Sequence, residues 1–157
     1  MTAMPSIQIR IVDPTDPAVA AILDQMAATA PLSLGILFGG DRWRVVTVCA
    51  VARVPDGTPD GTPVGLATLA PTDEQGGAGP HLIGVWVAPA VRAQGIATAL
   101  LGALIAESRV RYGVYPTIVP VTHGGYRAAV RAASACAAAA LAQVRPLIAP
   151  ELGCWLP

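Results

Sequence analysis

The chain has 157 residues, of which 54% are hydrophobic and only 13% charged, with ten basic residues against ten acidic ones. That length suits a single domain, 1–157, with a substantial core, and that composition excludes disorder over most of it. A formal charge of zero offers no basic face, so neither nucleic acid nor a membrane surface is an expected partner.

Ile7 to Ile11 alternates apolar and polar residues, the pattern of a half-buried strand. Asp13, Pro14 and Thr15-Asp16-Pro17 carry turn and helix-start signals, and Val19, Ile22, Leu23 and Met26 then recur at helical spacing over Ala18–Ala28. Pro31 ends that helix, and Leu32–Gly40 is either a second short helix or a loop over the core. Trp43–Arg53 is rich in Val and predicts a strand. The repeated Pro-Asp-Gly-Thr within Val54–Pro63 predicts a hairpin turn, with Val64–Leu69 as the returning strand. After a polar, Gly-rich loop over Thr72–Pro80, Leu82–Val87 is apolar on both faces, as central strands are.

Gln94–Tyr112 predicts a helix with Ile96, Leu100, Leu101, Leu104 and Ile105 on its apolar stripe and Gly113 as its stop. Thr117–Val121 is a further strand, which Pro120 makes an edge, a distorted pairing or a splayed position. Gly124-Gly125 opens an Ala-rich helix to about Gln143, and the tail Arg145–Pro157 holds at most two short strands. Cys49, Cys136 and Cys154 have no metal-ligand or redox spacing; they read as small buried hydrophobes in a reducing cytoplasm, and no metal is expected. No secretory signal opens the chain. Residues 128–144 are too short and too alanine-rich to span a bilayer, so the expectation is a soluble cytoplasmic protein.

The stretch Val85-Trp86-Val87-Ala88-Pro89-Ala90-Val91-Arg92-Ala93-Gln94-Gly95-Ile96-Ala97-Thr98 carries the chemistry. An apolar strand runs into Pro89, a short turn holds Arg92, Gln94 and Gly95, and a helix follows. The first N–H groups of a helix have no internal partners and carry the positive end of its dipole, which suits a phosphate. Gly95 lets a ligand approach the backbone, and Arg92 adds a charge at the mouth of the turn.

The spacing Arg92-x-x-Gly95-x-Ala97 resembles the acyl-CoA signature of the GNAT superfamily of N-acyltransferases, and the strand before it and the helix after it match too. The resemblance covers about Ile7 to Ala140. It implies an α/β fold with a mixed, mostly antiparallel sheet flanked by helices and splayed between the fourth and fifth strands, in the order β-α-(α)-β-β-β-α-β-α-tail. It implies acetyl-CoA as cosubstrate, with its pantetheine along the backbone of Val85, Trp86 and Val87. Its pyrophosphate would sit on the N–H groups of Ala93, Gln94, Gly95, Ile96, Ala97 and Thr98, next to Arg92. The implied activity is acetyl transfer to an amine, and zero net charge favours a small-molecule acceptor.

After the fifth strand the chain departs from the family's catalytic pattern. Many members carry an Asn there and, two helical turns on, a Tyr that protonates the leaving thiolate; here that position falls on Val130 or Arg131, neither of which can serve. Tyr126, about one turn early, and His123, where the Asn often stands, are the candidate substitutes. Glu74 and Asp73 on the loop before the fourth strand, and His81 at its start, are candidates for the base that takes the amine's proton. Arg127 and Arg131 stand four apart on one helix face, where they could meet an acidic substrate, meet the cofactor's phosphates or stay solvated. The alternative function is an acyl-CoA-binding or interaction module that has lost transfer. The tail could complete its own sheet or a neighbour's, which leaves a homodimer open.

Overall fold

The computed structural model describes residues 6–73, 77, 79–120 and 122–147. Five strands form one sheet in the order β1-β2-β3-β4-β5. They are β1 (Gln8–Val12), β2 (Val48–Val54), β3 (Thr62–Ala70), β4 (His81–Val87) and β5 (Thr117–Ile118). The first four pair antiparallel and β5 pairs parallel to β4, so the sheet is mixed and mostly antiparallel, as expected. Helices α1 (Pro17–Thr29), α2 (Pro31–Phe38), α3 (Asp41–Arg44), α4 (Ile96–Tyr112), α5 (His123–Cys136) and α6 (Ala138–Leu141) flank it.

Local chemistry sets the helix ends. The Asp16 carboxylate accepts from the Ala18 N–H, 2.9 Å away, and Pro17 occupies the first turn of α1, where a missing N–H costs nothing. Pro31 keeps Ala30 out of helical geometry, at φ −147° and ψ 57°, which separates α1 from α2, and Leu32–Gly40 is mostly helical. In α4 the predicted stripe of Ile96, Leu100, Leu101, Leu104 and Ile105 is buried. Each such side chain contributes roughly 1.5–3 kcal/mol by leaving water. Gly113, at φ 78°, ends the helix in the left-handed conformation that a C-terminal glycine adopts freely.

Two strand glycines let helices sit close on opposite faces. A Cβ on Gly65 would come within 3.0 Å of Leu100 Cδ1 in α4, and one on Gly84 within 3.0 Å of the Leu37 carbonyl in α2. Side chains alternate along β4, so Trp86 shares the α2 face with Gly84, while Val85 and Val87 point toward α4.

Three expectations need correction. The predicted strand Trp43–Arg53 begins only at Val48, because Gly40 at φ 59° starts the short α3 and Trp43 packs edge-on against Phe38, with ring centroids 6.3 Å apart. Of the strand predicted over Thr117–Val121, the described residues form only Thr117–Ile118, since Pro120 offers no N–H to continue the pairing; Val121 lies outside the described residues. The Ala-rich helix breaks at Ala137, which is extended at φ −172°. Tertiary pairing overrides alanine's helical propensity there: the break lets the Gln143 carbonyl accept from Ile118 N–H at 3.1 Å and the Ile118 carbonyl accept from Arg145 N–H at 2.9 Å. Cys49 is buried as expected, but Cys136, on the last turn of α5, is exposed. Cys154 and Trp155 lie outside the described residues.

Candidate functional site

β4 and β5 meet only at His81↔Thr117 and Leu82↔Ile118 and then part. Ile83 is the residue that the β3–β4 register skips, and its carbonyl accepts from Arg42 Nη1 at 3.0 Å. Beyond it a cavity of about 600 Å³ opens between the strands. It runs from the first turns of α4 and the start of α5, through the gap in the sheet, to Ser33 and Leu37 of α2.

The start of α4 faces this cavity without a side-chain cap, whereas Asp16 caps α1 and Thr122 caps α5. The N–H groups of Ile96, Ala97 and Thr98 are therefore donors waiting for an acceptor, at the positive end of a 17-residue helix. The preceding turn is wound tightly. Ala93 stands at φ 64° and Gly95 at φ 79°, both left-handed, a geometry that turns successive backbone N–H groups toward one concavity. A Cβ on Gly95 would meet nothing within 4 Å, so the space before it is open to a guest. Only glycine adopts this conformation without strain, and Ala93 bears that strain at the site's edge. These features fit a diphosphate group.

Arg92 is more constrained than a free surface charge. Its Nε donates to the Val87 carbonyl at 2.8 Å, and partial burial lowers its pKa from the usual arginine value. The Val87 carbonyl is thereby engaged; the register turns the backbone groups of Trp86 toward β3, which leaves the N–H and C=O of Val85 on the open edge of β4. Trp86 is 4% exposed and lines the cavity wall, and among the described residues its Nε1 has no hydrogen-bond partner. Ala93, Gly95, Ile96, Ala97 and Thr98 also line the cavity. Gln94 does not, and its buried Oε1 has no partner among the described residues.

The candidate proton-transfer residues separate. His123, at the start of α5, lines the cavity; Tyr126 does not, and its side chain is 38% exposed on another face of the helix. Thr122 Oγ1 accepts from the Gly125 N–H at 2.9 Å, which winds the first turn so that His123 and Gly124 face inward. His81 sits at the closed end of β4 with Nδ1 3.0 Å from the Gly79 carbonyl, and neither it nor Asp73 reaches the cavity. Glu74 lies outside the described residues. Arg127, Ala128 and Arg131 line the cavity as well, together with Ser33 and Leu37 from the other side of the sheet. The α2 residues were beyond sequence reasoning, since nothing local to them marks a site. Among the described residues no group of His, Cys, Asp and Glu could hold a metal ion, and no helix is long and apolar enough to cross a membrane.

No curated protein matches the chain. One solved structure, a candidate acyl-CoA N-acyltransferase from Klebsiella pneumoniae, is similar at 24% identity with a TM-score of 0.45. The match covers 68% of this chain and 66% of that one. The model of the acetyltransferase (GNAT) family matches residues 47–135, more than half of the chain and the whole run from β2 to the last turn of α5. With that match, and with the splayed sheet and the uncapped α4 in place, the chain belongs to the GNAT family of acetyl-CoA-dependent acetyltransferases.

Proposed function

We propose that the protein moves an acetyl group from acetyl-CoA to the amine of a small molecule. The observation that carries this reading is the uncapped start of α4, which opens onto the same cavity as the parted β4 and β5. Bound acetyl-CoA supplies an activated acyl thioester. The chain's part is to bind it, aim it and handle protons. The N–H groups of Ile96, Ala97 and Thr98 hold the diphosphate, with Arg92 beside them. The open edge of β4 at Val85 aligns the pantetheine arm as an added strand would be aligned. His123 takes over proton transfer at the head of α5, since Tyr126 is turned away.

A second reading has its own support. Positions 130 and 131 hold Val and Arg, and neither donates a proton at neutral pH. An acyl-CoA-binding module without transfer would keep the α4 cradle and lose the acid. Thermal shift with acetyl-CoA, CoA and unrelated nucleotides, run beside a turnover assay on a broad panel of primary amines, separates the two. Binding with turnover supports the transferase. Binding without turnover supports the module, and absence of binding removes both.

A further inference from the structure

We propose that Arg127 and Arg131 form an acceptor subsite for the carboxylate or phosphate of an acidic amine. The inference rests on the acetyltransferase reading and narrows its substrate class. Gly124, Arg127, Ala128 and Arg131 follow the i, i+3, i+4, i+7 spacing of one helix face, and all four line the cavity. The sequence left the direction of that face open; the start of α5, set by the Thr122 cap, turns it inward.

Neither guanidinium has a hydrogen bond or ion pair among the described residues, unlike several others on the surface. Arg44 pairs with Asp41, Arg111 with Glu107, and Arg53 donates to loop carbonyls. The charged and titratable residues that line the cavity are Arg92, His123, Arg127 and Arg131, and no described Asp or Glu joins them. Among the described lining residues a simple cationic amine would find no carboxylate to attract it. An amine that also carries an anion would find two planar guanidinium forks on one helix face. The diphosphate has its own cradle at the start of α4, so the α5 pair remains for a second anion.

The same wall bears on the chemistry. Nearby positive charge disfavours an ammonium ion, so an amine anchored here loses its proton more readily. The bond-forming nitrogen then needs only a weak base to receive that proton, and His123 is such a group on the same wall.

The test is calorimetry on the CoA-loaded protein with two matched pairs: phenylalanine against 2-phenylethylamine, and phosphoethanolamine against ethanolamine. The anionic member of at least one pair should bind about tenfold or more tighter, as a charge-assisted contact implies. R127Q/R131Q should erase that preference and leave CoA affinity within about twofold, while R131K restores part of it relative to R131Q. Equal or undetectable binding of both members of each pair overturns the proposal. So does a double variant that loses affinity for CoA but not for dephospho-CoA, because the arginines would then read the cofactor's ribose phosphate. Intact anion preference without turnover would instead count against acetyl transfer and leave the subsite standing.

Discussion

Arg92 Nε donates to the carbonyl of Val87, five residues earlier and 2.8 Å away. The contact folds the turn between β4 and α4 back on the strand that precedes it. One side chain thus holds the turn's shape and places a positive charge at the mouth of the proposed phosphate cradle.

Arg92→Ala should therefore affect both properties. Loss of a charge-assisted phosphate contact should weaken CoA by about 1.5–3 kcal/mol, or roughly 10- to 100-fold in Kd. Loss of the tether should lower Tm by a few degrees, given about 1 kcal/mol for one internal hydrogen bond. Calorimetry and thermal melting read the two separately. An unchanged Kd with a lowered Tm would reduce Arg92 to a structural tie.

Gly95 sits at φ 79° with open space where a Cβ would stand. Asn tolerates that conformation and Val does not. Gly95→Asn should melt close to the parent and bind CoA more weakly, because its side chain enters the cradle. Gly95→Val should lose stability as well, by roughly 1–3 kcal/mol of backbone strain. A Gly95→Asn variant that binds CoA as the parent does would remove the cradle from this turn.

His123 lines the cavity and Tyr126 lies off it. His123→Gln should lower turnover by roughly 10²–10⁴ with CoA affinity preserved, the range for general acid–base help. Tyr126→Phe should leave turnover within about twofold, as expected for a group outside the reaction. Steady-state kinetics on both variants decides it, and the opposite ranking would return the role to Tyr126.

Burial, reinforced by the Asp13 and Asp16 carboxylates, pushes the Cys49 thiol up to about 12 from a usual value of 9.0. Below about pH 9 the thiol is neutral in both folded and unfolded chains and contributes no pH dependence. Between about 9 and 12 the unfolded chain sheds the proton and the folded one keeps it, so stability falls as pH rises. The decline of Tm from pH 9 to 11 should be shallower in Cys49→Ala than in the parent. Peptide mapping after alkylation at neutral pH should find the exposed Cys136 modified and Cys49 untouched.

The sheet order and the phosphate turn were legible because their signals are local: alternation in Ile7–Ile11, the stripe of α4, and a glycine directly after a strand and before a helix. What could not be read depends on contacts far apart in sequence. The Ala-rich stretch after Gly124 has every local reason to continue past Ala137, and it stops because Gln143 and Arg145 pair with Ile118. Ser33 and Leu37 reach the cavity because Gly84 lets α2 settle on β4, an arrangement that no spacing within α2 encodes. Arg92 was legible as a charge, but its bond to Val87 depends on the fold of the turn.

The brevity of the β4–β5 pairing, two residues on each side, also says where the molecule should breathe. β5, tied on its far edge to Val144, is joined to the rest of the sheet by that short seam and by the packing of α5 on α4. Amide hydrogens of Thr117 and Ile118 should therefore exchange with solvent well before those in the long ladder between β2 and β3. A pantetheine arm lying in the gap would bridge the two parts of the sheet and slow that exchange. Protection of β5 would then report occupancy of the cleft directly, whether or not any acetyl group is transferred.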